Sequence, residues 1–486
     1  MLDAALTKKE YHQAMKGLDT RLGELQRALR SAAVPVLIVF EGWDAAGKGS
    51  TIGRLVQALD PRGYKVFHIE TPSPLEQLFP PMHRFWNLIP ERGNIAIYNH
   101  SWYYQAINDP LENVDTTPAM LSDAYERIRV FERQLCDDNA VVVKFFLHIS
   151  KKEQARRFKA LSRDTAFSWK VGAMEKKRHK RYNEYAKLIE DMLRETSMPD
   201  AAWNLVPATD ERFRNVQVAE KLAAAFEQAL QRPSRIVSAS VTTPRRISLL
   251  DSVDLSQTVS KEEYKKQLPD LQFELRRLQH IAYTQRKMVV ILFEGWDAGG
   301  KGGAIRRMIA KLDPRGYEVV PIAAPEGEEK RKHHLWRFWR ALRKSGHFTI
   351  FDRSWYGRVM VERVEDFAQP EEWMRAYREI NEFEADLVAY GAVLCKFWMH
   401  ISKEEQLDRF EARQRTPGKE WKITDEDWRN REKWDAYKEA VTDMIEKTST
   451  LQAPWTIIAG NDKRYARLRV LETVIERLSV SLKNDD

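Results

Sequence analysis

Cysteine is nearly absent from this 486-residue chain, with only Cys136 and Cys395, so a disulfide scaffold is excluded. Long apolar runs are lacking too. Val34 to Phe40 and Met288 to Phe293 fall far short of the roughly 18 residues that a membrane-spanning helix needs. The N-terminal stretch carries Lys8, Lys9 and Glu10 where a signal peptide needs its apolar centre, and the cytoplasm is the expected location. No bias toward disorder exists, since 43% of residues are hydrophobic and 31% charged. What the chain does have is length, and a prior of about 150 residues per domain predicts two or three domains. A balance of 79 basic and 71 acidic residues, net +8, leans toward anionic partners: nucleic acid, nucleotides or polyphosphates.

An internal repeat organises the chain. Glu41 to Gly49 (EGWDAAGKG) returns as Glu294 to Gly302 (EGWDAGGKG), changed only at Ala46/Gly299, with an offset of 253. At the same offset Leu59 to Tyr64 returns as Leu312 to Tyr317, Arg84-Phe85-Trp86 as Arg337-Phe338-Trp339, and Ser101-Trp102-Tyr103 as Ser354-Trp355-Tyr356. At offset 252, His148-Ile149-Ser150 and Arg157-Phe158 answer His400-Ile401-Ser402 and Arg409-Phe410. A repeat of this length is a duplicated domain, so residues 1–232 and 253–486 are read as two homologous domains. Residues 233–252, with Pro233, Pro244 and scattered Ser and Thr, have linker composition.

Within each half an amphipathic entry helix precedes an apolar β-branched run, a Gly-rich turn and a helix. Further strand candidates are Ile95 to Tyr98 and Val141 to Leu147, with Thr349 to Phe351 and Val393 to Met399 as counterparts. Alternating strands and helices predict a parallel sheet with helices on both faces. Lys403 to Lys447 is largely charged or aromatic at helical spacing. It is expected to be too polar for a core helix and to form a helical lid.

Gly42-x-x-x-x-Gly47-Lys48 and Gly295-x-x-x-x-Gly300-Lys301 have Walker A spacing between a strand and a helix. Such a loop wraps a phosphate chain with backbone N–H groups while the Lys neutralises phosphate oxygens. A Gly-rich turn with an incidental Lys is the bland alternative, made remote by the duplicate. The position after Lys, where nucleotide triphosphatases keep a Ser or Thr for Mg²⁺, is Gly49 or Gly302, and Gly303 and Ala304 supply no hydroxyl either. Any Mg²⁺ must then be held by carboxylates, with Asp297 in the loop and Asp352 at a strand end as candidates. Asp297 could instead cap a turn or helix, and Asp352 could pair with Arg353.

GWDAGGKGG, LDPRGY, FDRSWYGR and the distal EKWDAYKEAVTDMIEKTST and APWTIIAGNDKRYAR segments together resemble the polyphosphate kinase 2 family, and the tandem arrangement is similar to its two-domain members. The resemblance implies a P-loop kinase fold, α/β with a three-layer α/β/α arrangement, parallel sheet and helical lid, duplicated in tandem. It also implies Mg²⁺-dependent phosphoryl transfer from inorganic polyphosphate to a nucleotide, with AMP to ADP expected. Polyphosphate-driven ADP or GDP phosphorylation, or a non-catalytic P-loop anion or nucleic-acid binder, are the alternatives.

Two polyanions meeting end to end require cations. Lys301, Asp352, Arg353 and Arg358 are expected to be catalytic. Gly295, Gly300, Lys301, Gly302, Gly303 and Arg337 are expected to bind phosphate, Asp297, Arg315 and Arg353 the nucleotide, and Asp297 and Asp352 the metal. Arg409, Arg413, Arg415, Lys419 and Lys422 are candidate lid cations, with a solvated helical face as the alternative. In the first half, Asp352, Arg353 and Arg358 become Asn99, His100 and Gln105. Chemistry is therefore expected in the second half, the first being a degenerate partner, structural or polyphosphate-binding. The basic run Lys176 to Arg181 is read as surface before binding groove. Nucleic-acid and membrane partners are not expected, whereas an internal pseudo-dimer, and further homo-oligomerisation, would fit the duplication.

Overall fold

The computed structural model describes residues 4–112, 115–232, 248–418 and 423–483. Lys419, Lys422 and residues 233–247 of the expected linker lie outside the described residues. Two compact units are present. One comprises the chain up to Ser73, Arg84 to the end of the first half, and Gly327–His333; the other comprises Pro74–His83, the second half up to Glu326, and His334 onward.

Each unit carries one five-stranded, all-parallel sheet. The first contains β1 (Val36–Gly42), β2 (Tyr64–His68), β3 (Ile95–Asn99), β4 (Val141–His148) and β5 (Trp203–Pro207) in the order β2-β3-β1-β4-β5. The second contains β6 (Val289–Gly295), β7 (Tyr317–Pro321), β8 (Phe348–Asp352), β9 (Val393–His400) and β10 (Trp455–Ala459) in the same order, β7-β8-β6-β9-β10. The central strands are β-branched or aromatic runs covered on both faces, which is why β6 is buried from Val289 to Glu294. The edge strands are half-exposed, as in β2 and β7.

Entry helices Lys8–Ser31 and Lys261–Thr284 start at Thr7 and Ser260, whose hydroxyls accept from the backbone N–H of Glu10 and Glu263. Each entry helix lies against the last helix of its own half, Glu211–Gln231 or Lys463–Lys483. In the second half Leu275, Leu278, Val289, Ile291, Phe293, Val470, Leu471 and Val474 share one core, which fixes β6 and the loop leaving it.

The expectation that Lys403 to Lys447 is too polar for a core helix needs correction. Helix Trp434–Thr448 buries Trp434, Tyr437, Val441, Met444 and Ile445, because its apolar residues recur at helical spacing and its charges occupy the other face. Within that stretch, among the described residues, the short helix Asp425–Glu432 buries none of its residues. Among the described residues no helix is long and apolar enough to cross a membrane.

Candidate active site

The second-half loop is held in shape from behind. Gly295 sits at φ 149°, where an added Cβ would come 2.6 Å from the Met399 carbonyl oxygen, so the turn off β6 demands glycine. Gly300 (φ 109°) precedes helix Lys301–Ile309 without a side-chain cap, leaving first-turn N–H groups available to an anion. Buried Arg409 donates to the carbonyls of Ala298 (2.8 Å), Gly460 (2.6 Å) and Asn461 (3.0 Å), and pairs with Glu405 at 2.6 Å. It therefore clamps the loop instead of serving as a lid cation. Gln406 donates to the Asp297 carbonyl at 3.1 Å. The Trp296 ring stacks on Trp434, centroids 3.8 Å apart and planes 10° apart, and its N–H donates to His400 Nδ1 at 3.1 Å. A loop fixed this way needs little reorganisation when phosphate arrives.

Lys301 Nζ donates to the carbonyls of Gly295 (2.6 Å) and Trp296 (3.2 Å). Burial lowers its pKa, opposed by the charges of Asp297, Asp352 and Glu294. Asp352 ends β8 in register with Phe293 of β6. A Cβ built on Gly302 would lie 4.0 Å from Asp352 Oδ2, so the carboxylate occupies the neighbourhood from which a hydroxyl is missing. Among the described residues the Asp352 carboxylate makes no hydrogen bond or ion pair.

Arg353 follows at φ 65°, donating its backbone N–H to Phe293 O at 3.0 Å and its guanidinium to Asp297 Oδ1 at 3.3 Å. Burial disfavours its charge, but Asp297 and Glu294 outweigh this and its pKa rises. Asp297 Oδ2 accepts from Asn430 Nδ2 at 2.9 Å. Helix Lys301–Ile309 takes no side-chain cap from Asp297, and Arg353 forms its ion pair with Asp297, not with Asp352. Buried Glu294, its pKa pushed up by burial, accepts from Ser354 Oγ at 2.8 Å and so ties loop to strand end.

The remaining expected residues are engaged elsewhere. Arg358 pairs with Glu362 (3.0 Å) and Glu372 (3.8 Å). Arg337 donates to Ala323 O at 2.9 Å and lies over the Phe338 ring. Arg315 is exposed and pairs with Asp313 within its own turn. Arg415 pairs with Glu411. The structure thus brings together Lys301, Asp297, Asp352, Arg353 and the loop glycines, but not Arg358, Arg337 or Arg315. Asn430, Gln406, His400 and Trp434 went unforeseen. For Asn430 a signal was present, because the two halves differ there: Arg178 stands opposite.

In the first half Gly42 (φ 143°) and Gly47 (φ 104°) repeat the loop, and Lys48 Nζ donates to Gly42 O at 2.9 Å. Arg157 repeats the clamp on Ala45 and Ala46, and Trp43 stacks on Tyr182 with centroids 3.8 Å apart. The strand end differs. Asn99 Nδ2 lies 3.2 Å from His68 Nδ1, and His100 (φ 60°) bonds Glu41 at 2.9 Å, its pKa lowered by burial and by Lys48. The lid helix Ala173–Lys180 brings Arg178 to Asp44 (3.9 Å), Glu112 (2.6 Å) and Tyr104 Oη (3.2 Å). That assigns one member of the basic run to the loop face and not to the outer surface.

Two parallel sheets, each sending a phosphate loop from its central strand into a helix and one keeping a strand-end carboxylate beside that loop, define a tandem P-loop protein of the phosphoryl-transfer class. The chain belongs to the polyphosphate kinase 2 family, whose profile matches residues 5–233 and again 258–486. It is 43% identical to a polyphosphate:AMP phosphotransferase of Pseudomonas aeruginosa over 99% of this chain and 98% of that protein. An enzyme of the same name from Acinetobacter johnsonii is 36% identical over 94% and 93%. A solved structure described as a polyphosphate kinase 2 from Pseudomonas aeruginosa superposes with a TM-score of 0.87 at 41% identity, covering 99% of this chain and 98% of its own.

Proposed function

We propose that this protein transfers the terminal phosphoryl group of inorganic polyphosphate to a nucleoside monophosphate, AMP to ADP, with the chemistry in the second half. The terminal P–O bond to the polymer breaks, a P–O bond to an oxygen of the AMP phosphate forms, and the polymer leaves one phosphate shorter. The observation that carries this reading is the unpaired Asp352 carboxylate beside hydroxyl-free Gly302. Polyphosphate:AMP phosphotransferases matched along nearly their whole length support it, whereas relatives named for GDP or ADP match 56% and 46% of this chain. Nucleotide substrates and free buried Cys136 and Cys395 support work in the cytoplasm.

The oxygen donors of Asp352 and Asp297 fit Mg²⁺, a hard cation that prefers carboxylate and water oxygens. Bound there, it would offset phosphate charge in the transition state. Asp352 would be its first holder, because Asp297 already shares its oxygens with Arg353 and Asn430. Lys301 would exchange its carbonyl partners for phosphate oxygens, and the N–H groups of Lys301, Gly302 and Gly303 would cradle the phosphate turned toward the helix. Arg353 would neutralise charge spreading onto the transferred group. Arg358, ion-paired now, would join by leaving Glu362. Arg337 and Arg315 are proposed only as outer cations.

The test incubates the full chain with polyphosphate, Mg²⁺ and AMP, ADP or GMP in turn and resolves the products. ADP from AMP, abolished by a chelator, is expected. Turnover of ADP without AMP would replace the acceptor, and no turnover of any nucleotide would overturn the reading.

A further inference from the structure

Helix Asp425–Glu432 buries none of its residues, and among the described residues its Asn430 bonds the carboxylate of the phosphate loop. The Asn430 amide bridges two groups: its Oδ1 lies 3.3 Å from Tyr437 Oη, whose one proton it shares with Glu365 Oε1 at the same distance, and its Nδ2 donates to Asp297 Oδ2 at 2.9 Å. Tyr437 belongs to the buried helix Trp434–Thr448, so the amide spans from a core-anchored helix to the loop carboxylate. Among the described residues Asp297 Oδ2 meets this neutral donor, while Arg353 pairs with the other oxygen, Oδ1, at 3.3 Å.

The first half shows the opposite choice. Offset 252 aligns Tyr182 with Trp434, both stacked on the loop tryptophan, and His179 with Arg431, both bonded to the equivalent Gln154 and Gln406. It also aligns Arg178 with Asn430. Where the strand end carries Arg353 the lid carries an amide; where it carries His100 the lid carries a guanidinium that spans Asp44 and Glu112. Each loop aspartate therefore keeps one guanidinium, but it has moved from the strand to the lid. A lid guanidinium would add a second ion pair to the carboxylate that Arg353 already holds and compete with any cation for it, whereas an amide orients the carboxylate without adding positive charge.

We propose that Asn430 is a positioning residue that couples closure of helix Asp425–Glu432 to the orientation of Asp297. The inference rests on the reading of Asp297 and Asp352 as the acids of the working site, yet its first test needs no turnover. Hydrogen–deuterium exchange of residues 425–432 in the full-length protein, free of metal and nucleotide, should quicken about tenfold in Asn430→Ala, the size expected for one lost hydrogen bond to a charged group. Asp297→Ala should quicken it equally, and the double variant no further. In steady state, Asn430→Arg, copying the first half, should raise the Mg²⁺ needed for half-maximal rate about tenfold, while Arg178→Asn leaves it unchanged. Unchanged exchange in Asn430→Ala, or additive effects in the double variant, would overturn the coupling. Normal exchange changes in a protein that phosphorylates no nucleotide would leave the coupling standing and sink only the functional reading.

Discussion

Deep under the strand ends, the two halves hold the same ion pair: Lys144–Glu132 in the first and Lys396–Glu384 in the second, each at 2.7 Å and shut off from solvent. Each lysine also donates to a tyrosine hydroxyl (Tyr103 or Tyr356, 2.9 Å) and to a threonine carbonyl (Thr196 or Thr448, 2.8 Å), while the glutamate takes the N–H of Trp102 or Trp355. One layer above in each half, Asp352 and Arg353 of the second correspond to Asn99 and His100 of the first. A buried ion pair costs desolvation and is tolerated only when every donor and acceptor is met. Its retention beneath both strand ends, with and without the carboxylate above, assigns it to holding the Ser-Trp-Tyr segment in place. The architectural pair persists in both halves, as do the loop charges Asp44 and Lys48, whereas the strand-end charges of Asp352 and Arg353 do not.

The largest effect should come from the upper layer. Lys301→Ala and Asp352→Asn should each lower polyphosphate-driven turnover about a thousandfold, on the order of 4 kcal/mol, whereas Lys48→Ala stays within roughly tenfold. Equal, severe losses from Lys48→Ala and Lys301→Ala at saturating substrates would break the contrast between the halves. The lower layer should not discriminate. Lys144→Met and Lys396→Met, each leaving a buried glutamate unpaired, should destabilise their own half by about 3 kcal/mol in denaturant unfolding. A loss confined to one half would show that the shared network does not have a shared role.

Asp297→Asn should raise the Mg²⁺ needed for half-maximal rate about tenfold. Lost thermal stability with unchanged metal dependence would return Asp297 to a loop-holding role. The smallest effect concerns acid. Burial lowers the His400 pKa to about 4, and its Nδ1 must stay unprotonated to accept from Trp296. The neutral form is therefore favoured in the fold: its stabilisation is complete above the unfolded value of about 6.5 and is lost as pH falls toward 4. Between pH 6 and 5 the second half should lose about 1 kcal/mol, read as a falling Tm that His400→Gln flattens. His148, its pKa also lowered by burial but the residue more exposed, should give the first half a shallower slope.

The sequence alone made the duplication, the phosphate loop and the central strands legible, because an unbroken apolar run such as Val289 to Phe293 leaves little alternative to a buried parallel strand. Edge strands β2, β5, β7 and β10 were not legible. Exposed Val66 and Leu205 show why: covered on one side only, such strands mix polar and apolar residues over five positions. At the site, Lys301, Asp297, Asp352 and Arg353 could be read from motif position. Arg409 could not, since a lid cation and a loop clamp look alike on a charged helix, and only burial against three carbonyls separates them. Arg358 shows the converse, a residue read by charge alone that rests on Glu362.

One feature common to both strand ends bears on engineering. Arg353 at φ 65° and His100 at φ 60° hold a left-handed backbone that costs a bulky L-residue about 1–2 kcal/mol. At Arg353 the strained turn is what aims a guanidinium at Asp297, so relieving it would trade function for heat tolerance. At His100 the same strain aims a neutral ring at Glu41. Asparagine, whose short polar side chain can hydrogen-bond locally, visits that conformation and can still donate to the carboxylate, which makes position 100 the natural place to begin thermostabilising this molecule without disturbing the charged strand end 253 residues further on.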